Sequence, residues 1–309
     1  MEPLLLYFLK VNVALILLYG FYRLFFHKDT FLKLRRFSLL AFYAIAISYP
    51  LCNLQGLLQN NQTITEVVYA YSVMLPEVTV GATKAAPTLS LNTLFWGAYL
   101  LVFIGLMTSF ITQLVSIFRI KSKKQTYKGI SIHVPEKIET PFSFFRYIFI
   151  NPKLHSDKEL HEILTHEQTH ANQWHSVDII ISDLFARLFW INPFSWLLKR
   201  EVRHNLEYLA DRSVITSGHD TKSYQYHLLG LTNQKAAAQL INNFNVLPLK
   251  NRIKMMNKKP SHHIRRFKYL LFVPLVALLL VFSNIEVLAR VLIEDKAQTE
   301  YINEAITSL

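Results

Sequence analysis

Four stretches of this sequence, Leu4–Phe26, Phe37–Leu58, Leu91–Phe118 and Phe267–Leu288, are long and apolar enough to cross a membrane. The ~30 Å hydrocarbon core of a bilayer takes about 20 helical residues. Backbone in hydrocarbon must satisfy its own hydrogen bonds, so each run is expected to be a helix. Composition agrees. The mean hydropathy is +0.22, and charged residues make up 17% of the 309 residues, against about 25% in an average soluble protein. The first run is too long for a signal peptide and lacks a small-residue cleavage site, so it reads as a retained helix. Lys10 within it is expected to snorkel or to face other helices. The second run carries Pro50, Asn53 and Gln55, which mark a kink or a polar contact inside the membrane.

The net charge of +12 raises the question of nucleic acid. The basic residues, however, sit beside the apolar runs, the pattern of cytoplasmic loops. Lys28, Lys33, Arg35 and Arg36 lie between the first two runs; Arg119, Lys121, Lys123, Lys124 and Lys128 follow the third; Arg265, Arg266 and Lys268 open the fourth. The 59–90 segment and the acidic tail after Arg290 are poor in base. All basic clusters fall on one side if the N-terminus is outside. The expected domains are three spans with short loops over 1–118, a cytoplasmic domain over 119–266, a fourth span over 267–288 and a short outer tail over 289–309. The expected partner of the positive charge is the lipid bilayer of a bacterial inner membrane; direct nucleic-acid binding is not expected.

Within 119–266, Gly129–Val134 and Arg146–Ile150 read as strands, separated by Pro141. A helix near Glu159–Gln173 is announced by Ser156 and Glu159, the spacing of a capping box. Further helices are expected over Ser176–Phe189, from Asn192-Pro193 to about Val214, and near Lys222–Leu240.

The first of these helices carries His166-Glu167-Gln168-Thr169-His170, an HExxH motif. Residues four apart share one helix face, so both imidazoles can approach one ion at ~2.0–2.1 Å. Glu167 stands beside the first ligand, where it can act as general base. The single cysteine, Cys52, excludes an intramolecular disulfide and a cysteine-based zinc cluster, so a third ligand must be His or carboxylate. Glu207 is the candidate, with His204 as runner-up. Asp211, four residues after Glu207, is placed to accept the free N–H of a ligating histidine.

With these motifs in view, the chain resembles the BlaR/MecR-type antirepressor metallopeptidases, especially divergent members from Bacteroidetes. The resemblance rests on PFSFFRYIFINP, HEQTHANQWHSVD, WINPFSWLLKREVRHNLEYLAD and LKNRIKMM, with spans on either side. It implies zinc, one ion per chain, on His166, His170 and Glu207, and catalysis by Glu167. Where that family often has a histidine before the ligating glutamate, this chain has Leu206. The antibiotic sensors of the family carry a penicillin-binding domain after the last span. The 289–309 tail is too short for one, so direct β-lactam sensing by this chain is not expected, and the signal is expected to arrive through the spans, the 59–90 loop or a partner such as a separate sensor protein.

The fold class expected is a polytopic α-helical membrane protein of about four spans with an embedded α+β zincin-like (gluzincin) protease domain. The expected function is proteolysis of a cytoplasmic protein, a winged-helix transcriptional repressor or the chain itself, in signal transduction. A housekeeping protease of Ste/HtpX type and a non-catalytic scaffold are the competing readings. Three weaker features complete the picture. His175 and Asp178 are read mainly as structural. Arg146–Ile150 is read as a buried strand or a substrate-pairing edge. The basic segment Lys250–Lys259 is read as lying along anionic headgroups.

Overall fold

A computed structural model describes residues 3–52, 91–136, 140–238 and 246–284. Its helices are α1 (Pro3–Phe25), α2 (Leu32–Ser48), α3 (Leu91–Phe118), α4 (Asp157–Asn172), α5 (His175–Leu188), α6 (Pro193–Thr216), α7 (Thr221–Ala238), α8 (Val246–Met256) and α9 (Phe272–Ser283). The strands are β1 (Ser122–Tyr127), β2 (Ile130–Pro135), β3 (Phe142–Phe144) and β4 (Tyr147–Phe149). The fold is therefore a helical membrane-spanning region joined to an α+β domain.

Among the described residues three helices are long and apolar enough to cross a membrane: Leu4–Phe25, Asn92–Phe118 and His263–Ser283. The last begins as a 3₁₀ segment, His263–Leu271, and continues as α9. The second expected span differs. Its helix starts earlier, at Leu32, so Arg35 and Arg36 lie within it, and it ends at Ser48 after 17 residues. Pro50 enters a 3₁₀ turn there, as expected of a residue that lacks an N–H and cannot continue a helix. Asn53, Gln55, the 59–90 segment and the 289–309 tail lie outside the described residues.

The chain forms two compact units. In the first, Lys10 faces another helix, the second of the two expectations for it. Its ammonium donates to the Ser283 carbonyl at 2.6 Å, and its own carbonyl accepts from the Tyr49 hydroxyl at 2.6 Å.

The second unit holds the sheet and helices α4 to α8. Its sheet has the order β1-β2-β4-β3. The β1–β2 hairpin turns at Lys128-Gly129, both at positive φ, which glycine adopts freely. β4 lies between β2 and β3, so RYIFI is an interior strand and not the edge; β3 is the edge on that side. Ile132, Ile148 and Ile150 pack on Leu160, Ile163 and Leu164 of α4. The capping box predicted for α4 is present: Glu159 N–H donates to Ser156 Oγ at 3.4 Å, and Ser156 N–H donates to Glu159 Oε2 at 3.0 Å. Trp174, in the left-handed region, turns the chain from α4 into α5. Asn192 caps α6, with Pro193 in its first turn. A second core, Val214, Tyr224, Leu228 and Leu249, joins α6, α7 and α8.

Helix α6 is also tied to the α1 and α2 segments of this unit. Tyr22 OH donates to Glu201 Oε2 at 2.9 Å, and buried Arg35 donates to Tyr22 OH at 2.6 Å. The Asn205 amide donates to the Leu32 carbonyl at 2.9 Å. The helix that carries Glu207 and Asp211 is thus anchored, within two turns, on residues of the N-terminal helices.

Candidate metal centre

The two histidines of HExxH lie one turn apart on α4 and turn the same nitrogen inward: His166 Nε2 and His170 Nε2 are 3.2 Å apart. Glu207, from α6, closes the triangle. Its Oε2 is 3.6 Å from His166 Nε2, and its Oε1 is 3.8 Å from His170 Nε2. Among the described residues these three form the group whose donor atoms converge tightly enough to hold a metal ion. Ligands at ~2.0–2.1 Å around a tetrahedral zinc are about 3.3 Å from one another, so the spacing fits a zinc ion. The chemistry fits as well, with two imidazoles and one carboxylate leaving a fourth position open. His204 is not in this group; its ring lies beside that of Tyr208, 6.4 Å between centroids.

Each imidazole is held from behind. His170 Nδ1 lies 2.8 Å from Nδ1 of fully buried His175, whose Nε2 reaches Gln173 Oε1 at 3.3 Å. One tautomer set satisfies the chain: His170 Nδ1–H donates to His175, and His175 Nε2–H donates to Gln173, which leaves His170 Nε2 free as a ligand. Burial, and then the neighbouring His166, pushes the His170 pKa down to about 4, so the ring is neutral as a ligand must be. Burial and His170 likewise hold His175 well below its usual range. His175 is therefore the orienting partner of His170. Asp178 does not join it; both its oxygens accept from Arg36, at 2.6 and 2.9 Å.

His166 is oriented by residues from three other helices. Tyr224 OH, on α7, lies 2.9 Å from His166 Nδ1 and donates to Asp211 Oδ1 at 2.8 Å. Asp211 is also 3.4 Å from His166 Nδ1 directly. Arg252, on α8, donates to both Asp211 oxygens at 2.9 and 2.5 Å and lies 2.9 Å from Glu207 Oε2. Burial alone would lower the His166 pKa, but hydrogen bonds to Asp211 and Glu207 lift it to about 9. Against burial, which would raise it, Arg252 and the two histidines hold the Glu207 carboxyl far below its ordinary range. Glu167 differs. Burial raises it, opposed by His166 and by a hydrogen bond with Ser143 of β3.

Tyr224 and Arg252 have no signature in sequence. Each acts from a helix far along the chain, at no fixed spacing from HExxH, and the basic segment around Arg252 suggested headgroups. Instead, Arg252 turns inward while Lys250 and Lys254 stay exposed.

A family model described as BlaR1 peptidase M56 matches residues 91–256, more than half of the chain. The chain belongs to the BlaR1 peptidase M56 family. Among curated proteins, the regulatory protein BlaR1 of Staphylococcus aureus is 32% identical over 99 residues. That match covers 30% of this chain and 17% of the relative's length. In this member of the BlaR1 peptidase M56 family the matched region runs from α3 through α8, and so includes every residue of the metal cluster and its supports. Leu206, which stands before Glu207, is buried in the core and offers no donor.

Tyr224→Phe isolates one of these supports. It keeps the ring in the α6–α8 core and removes only the hydroxyl between His166 and Asp211. Zinc affinity is expected to fall ~10–100-fold, the usual size when a ligand loses its orienting partner. Competition with a chromogenic chelator reads it. Unchanged affinity would assign the orientation of His166 to Asp211 alone.

Proposed function

We propose that this chain is an integral-membrane zinc metalloendopeptidase of gluzincin type, acting on a cytoplasmic protein in signal-transducing proteolysis. The observation that carries the reading is the convergence of His166 Nε2, His170 Nε2 and Glu207 on one point, with Glu167 next to His166 on α4. His166, His170 and Glu207 hold the ion, Glu167 is the general base, and Asp211 orients His166. The peptidase domain covers 119–266, follows the three spans of 1–118 and faces the cytoplasm, with the N-terminus outside.

A zinc ion held by His166, His170 and Glu207 would supply Lewis acidity to the scissile carbonyl and would lower the pKa of water at the site. Glu167 accepts the proton of the attacking water and returns it to the leaving amine. Its burial brings the carboxyl closer to the working pH, which favours a group that must both take and give a proton. The outer side of β3, the edge of the described sheet, offers backbone groups to an extended substrate next to Ser143 and Glu167. His175 and Tyr224 keep the two imidazoles from turning when substrate enters.

The substrate proposed is a soluble winged-helix repressor, with self-cleavage as the other target in the same reaction. The family, and the word "regulatory" in the name of the matched relative, support signalling over housekeeping. The signal enters through a separate sensor or through the spans, to which α6 is tied by Glu201, Asn205 and Arg35. The test has two arms. Purified protein should cleave an unstructured polypeptide, lose the activity to a zinc chelator and regain it with added zinc. In cells, a repressor encoded nearby should disappear on induction in wild type and persist in a Glu167→Gln strain. Activity that survives chelation sinks the metallopeptidase. A repressor that stays intact while membrane-protein fragments accumulate in the Glu167→Gln strain hands the function to quality control.

A further inference from the structure

Helix α5 and the start of α6 are built inside out. From Val177 to Leu198 every polar or charged side chain is buried: Asp178, Ser182, Asp183, Arg187, Asn192 and Ser195. Every residue left exposed or half-buried in that stretch is apolar. Along α5 the outward residues Val177, Ile181, Leu184 and Leu188 recur at spacings of four, three and four, one continuous helix face, and exposed Ile191 follows in the turn to α6. Exposed helices of water-soluble domains show the opposite arrangement.

We propose that α5 and the first turn of α6 form a helical hairpin immersed in the hydrocarbon of the bilayer, entering it beside the metal cluster. Three independent features support this partner over water or protein. First, Arg187 places the depth. Its guanidinium donates to the Leu106 carbonyl at 2.6 Å and is paired with Asp183 at 3.2 Å. Leu106 is halfway along Asn92–Phe118, a helix apolar enough to span the membrane. The end of α5 therefore lies level with the middle of that span.

Second, side chains take up freed backbone groups at the turn of the hairpin. The Phe189 carbonyl accepts from Asn192 N–H at 2.9 Å and from Ser195 Oγ at 3.0 Å. The Trp190 carbonyl accepts from Trp196 Nε1 at 3.0 Å. Asn192 Oδ1 accepts from Phe194 N–H at 3.0 Å. In hydrocarbon an unsatisfied backbone group costs several kcal/mol, and a helix break survives there only when side chains take up the freed groups.

Third, the length fits. The 14 residues of α5 extend about 21 Å. That is too short to cross ~30 Å of hydrocarbon and long enough to pass its midplane. His175, at the other end of α5, touches the ligand His170. The hairpin so placed brings the metal cluster to the membrane surface, where an extended chain reaches it from the cytoplasmic interface.

Spin labels test the placement. In a Cys52→Ser background, labels at Val177, Leu184 and Ile191 replace outward aliphatic side chains, and a label at exposed Lys222 is the aqueous reference. The protein is reconstituted in vesicles of phosphatidylethanolamine and phosphatidylglycerol. Leu184 and Ile191 should show a several-fold excess of collisions with oxygen over a soluble nickel chelate, increasing from 177 to 191; Lys222 should show the reverse. Free access of the nickel chelate to 184 and 191 overturns the proposal. So does shielding from both reagents, which assigns the face to a protein partner or second copy. Equal depth at all three positions also overturns it, since the helix then lies flat at the interface. A label-free measurement guards against misfolding. In a Trp96→Phe, Trp174→Phe chain, emission from Trp190 and Trp196 should be quenched by brominated acyl chains; undiminished emission counts against the hairpin.

Discussion

Glu167→Gln should leave zinc content at the wild-type level and lower peptide hydrolysis by ~10²–10⁴-fold, the span typical of a positioned general acid–base. The two halves of this outcome have separate causes. Glu167 is not one of the three converging donors, so its loss removes no ligand. Glutamine has the same shape and can still hydrogen-bond to Ser143 of β3. What glutamine cannot do is accept a proton. Retained zinc with lost hydrolysis therefore isolates the proton transfer. Retained zinc with undiminished hydrolysis removes Glu167 from the mechanism, and undiminished signalling in cells as well would revive the scaffold reading. Metal content is read by mass spectrometry on the full chain, and hydrolysis by single-turnover cleavage of an unstructured polypeptide.

What the sequence disclosed about this site follows from how its parts are spaced. His166, Glu167 and His170 are legible because helical periodicity turns a spacing of four into a shared face. Glu207 and Asp211 are legible for the same reason, one helix later. Their meeting with HExxH is a tertiary fact that periodicity cannot supply. Tyr224 and Arg252 are of that second kind throughout, since neither shares a helix with any residue it supports. Strand β1, SKKQTY, has no signature in the sequence, because four of its six residues are exposed and it shows no apolar alternation. RYIFI is legible as a strand, but whether it is edge or interior depends on β3, three residues across a tight turn. Hydropathy also passed over α5. Asp178, Asp183 and Arg187 make it look like a helix of a soluble domain, and only their burial shows which face is turned outward. The start of the second helix is not legible from hydropathy, because Arg35 and Arg36 lie inside α2 rather than in the loop before it.

The largest expected effect lies in the ligand set itself. His166→Ala, His170→Ala and Glu207→Gln should each weaken zinc binding by more than ~100-fold, beyond the ~10–100-fold expected for residues that only orient a ligand. All three side chains are needed because a tetrahedral site with an open fourth position has no spare donor. His204→Ala should hold zinc as wild type does, since its ring is turned to Tyr208 and not to the cluster. Glu207→Gln is the informative member. The amide keeps the volume, and its oxygen still reaches the two imidazoles, but the charge that Arg252 and both histidines stabilise is gone. Arg252 then faces the site without its second carboxylate and adds positive charge where the ion must sit, so the loss should exceed that of a neutral ligand swap. Arg252→Gln in the same background should recover part of the affinity. Zinc titration with a competing chelator across these variants decides it. If His204→Ala strips the metal while Glu207→Gln keeps it, the third ligand is His204 and the geometry on α6 must be redrawn.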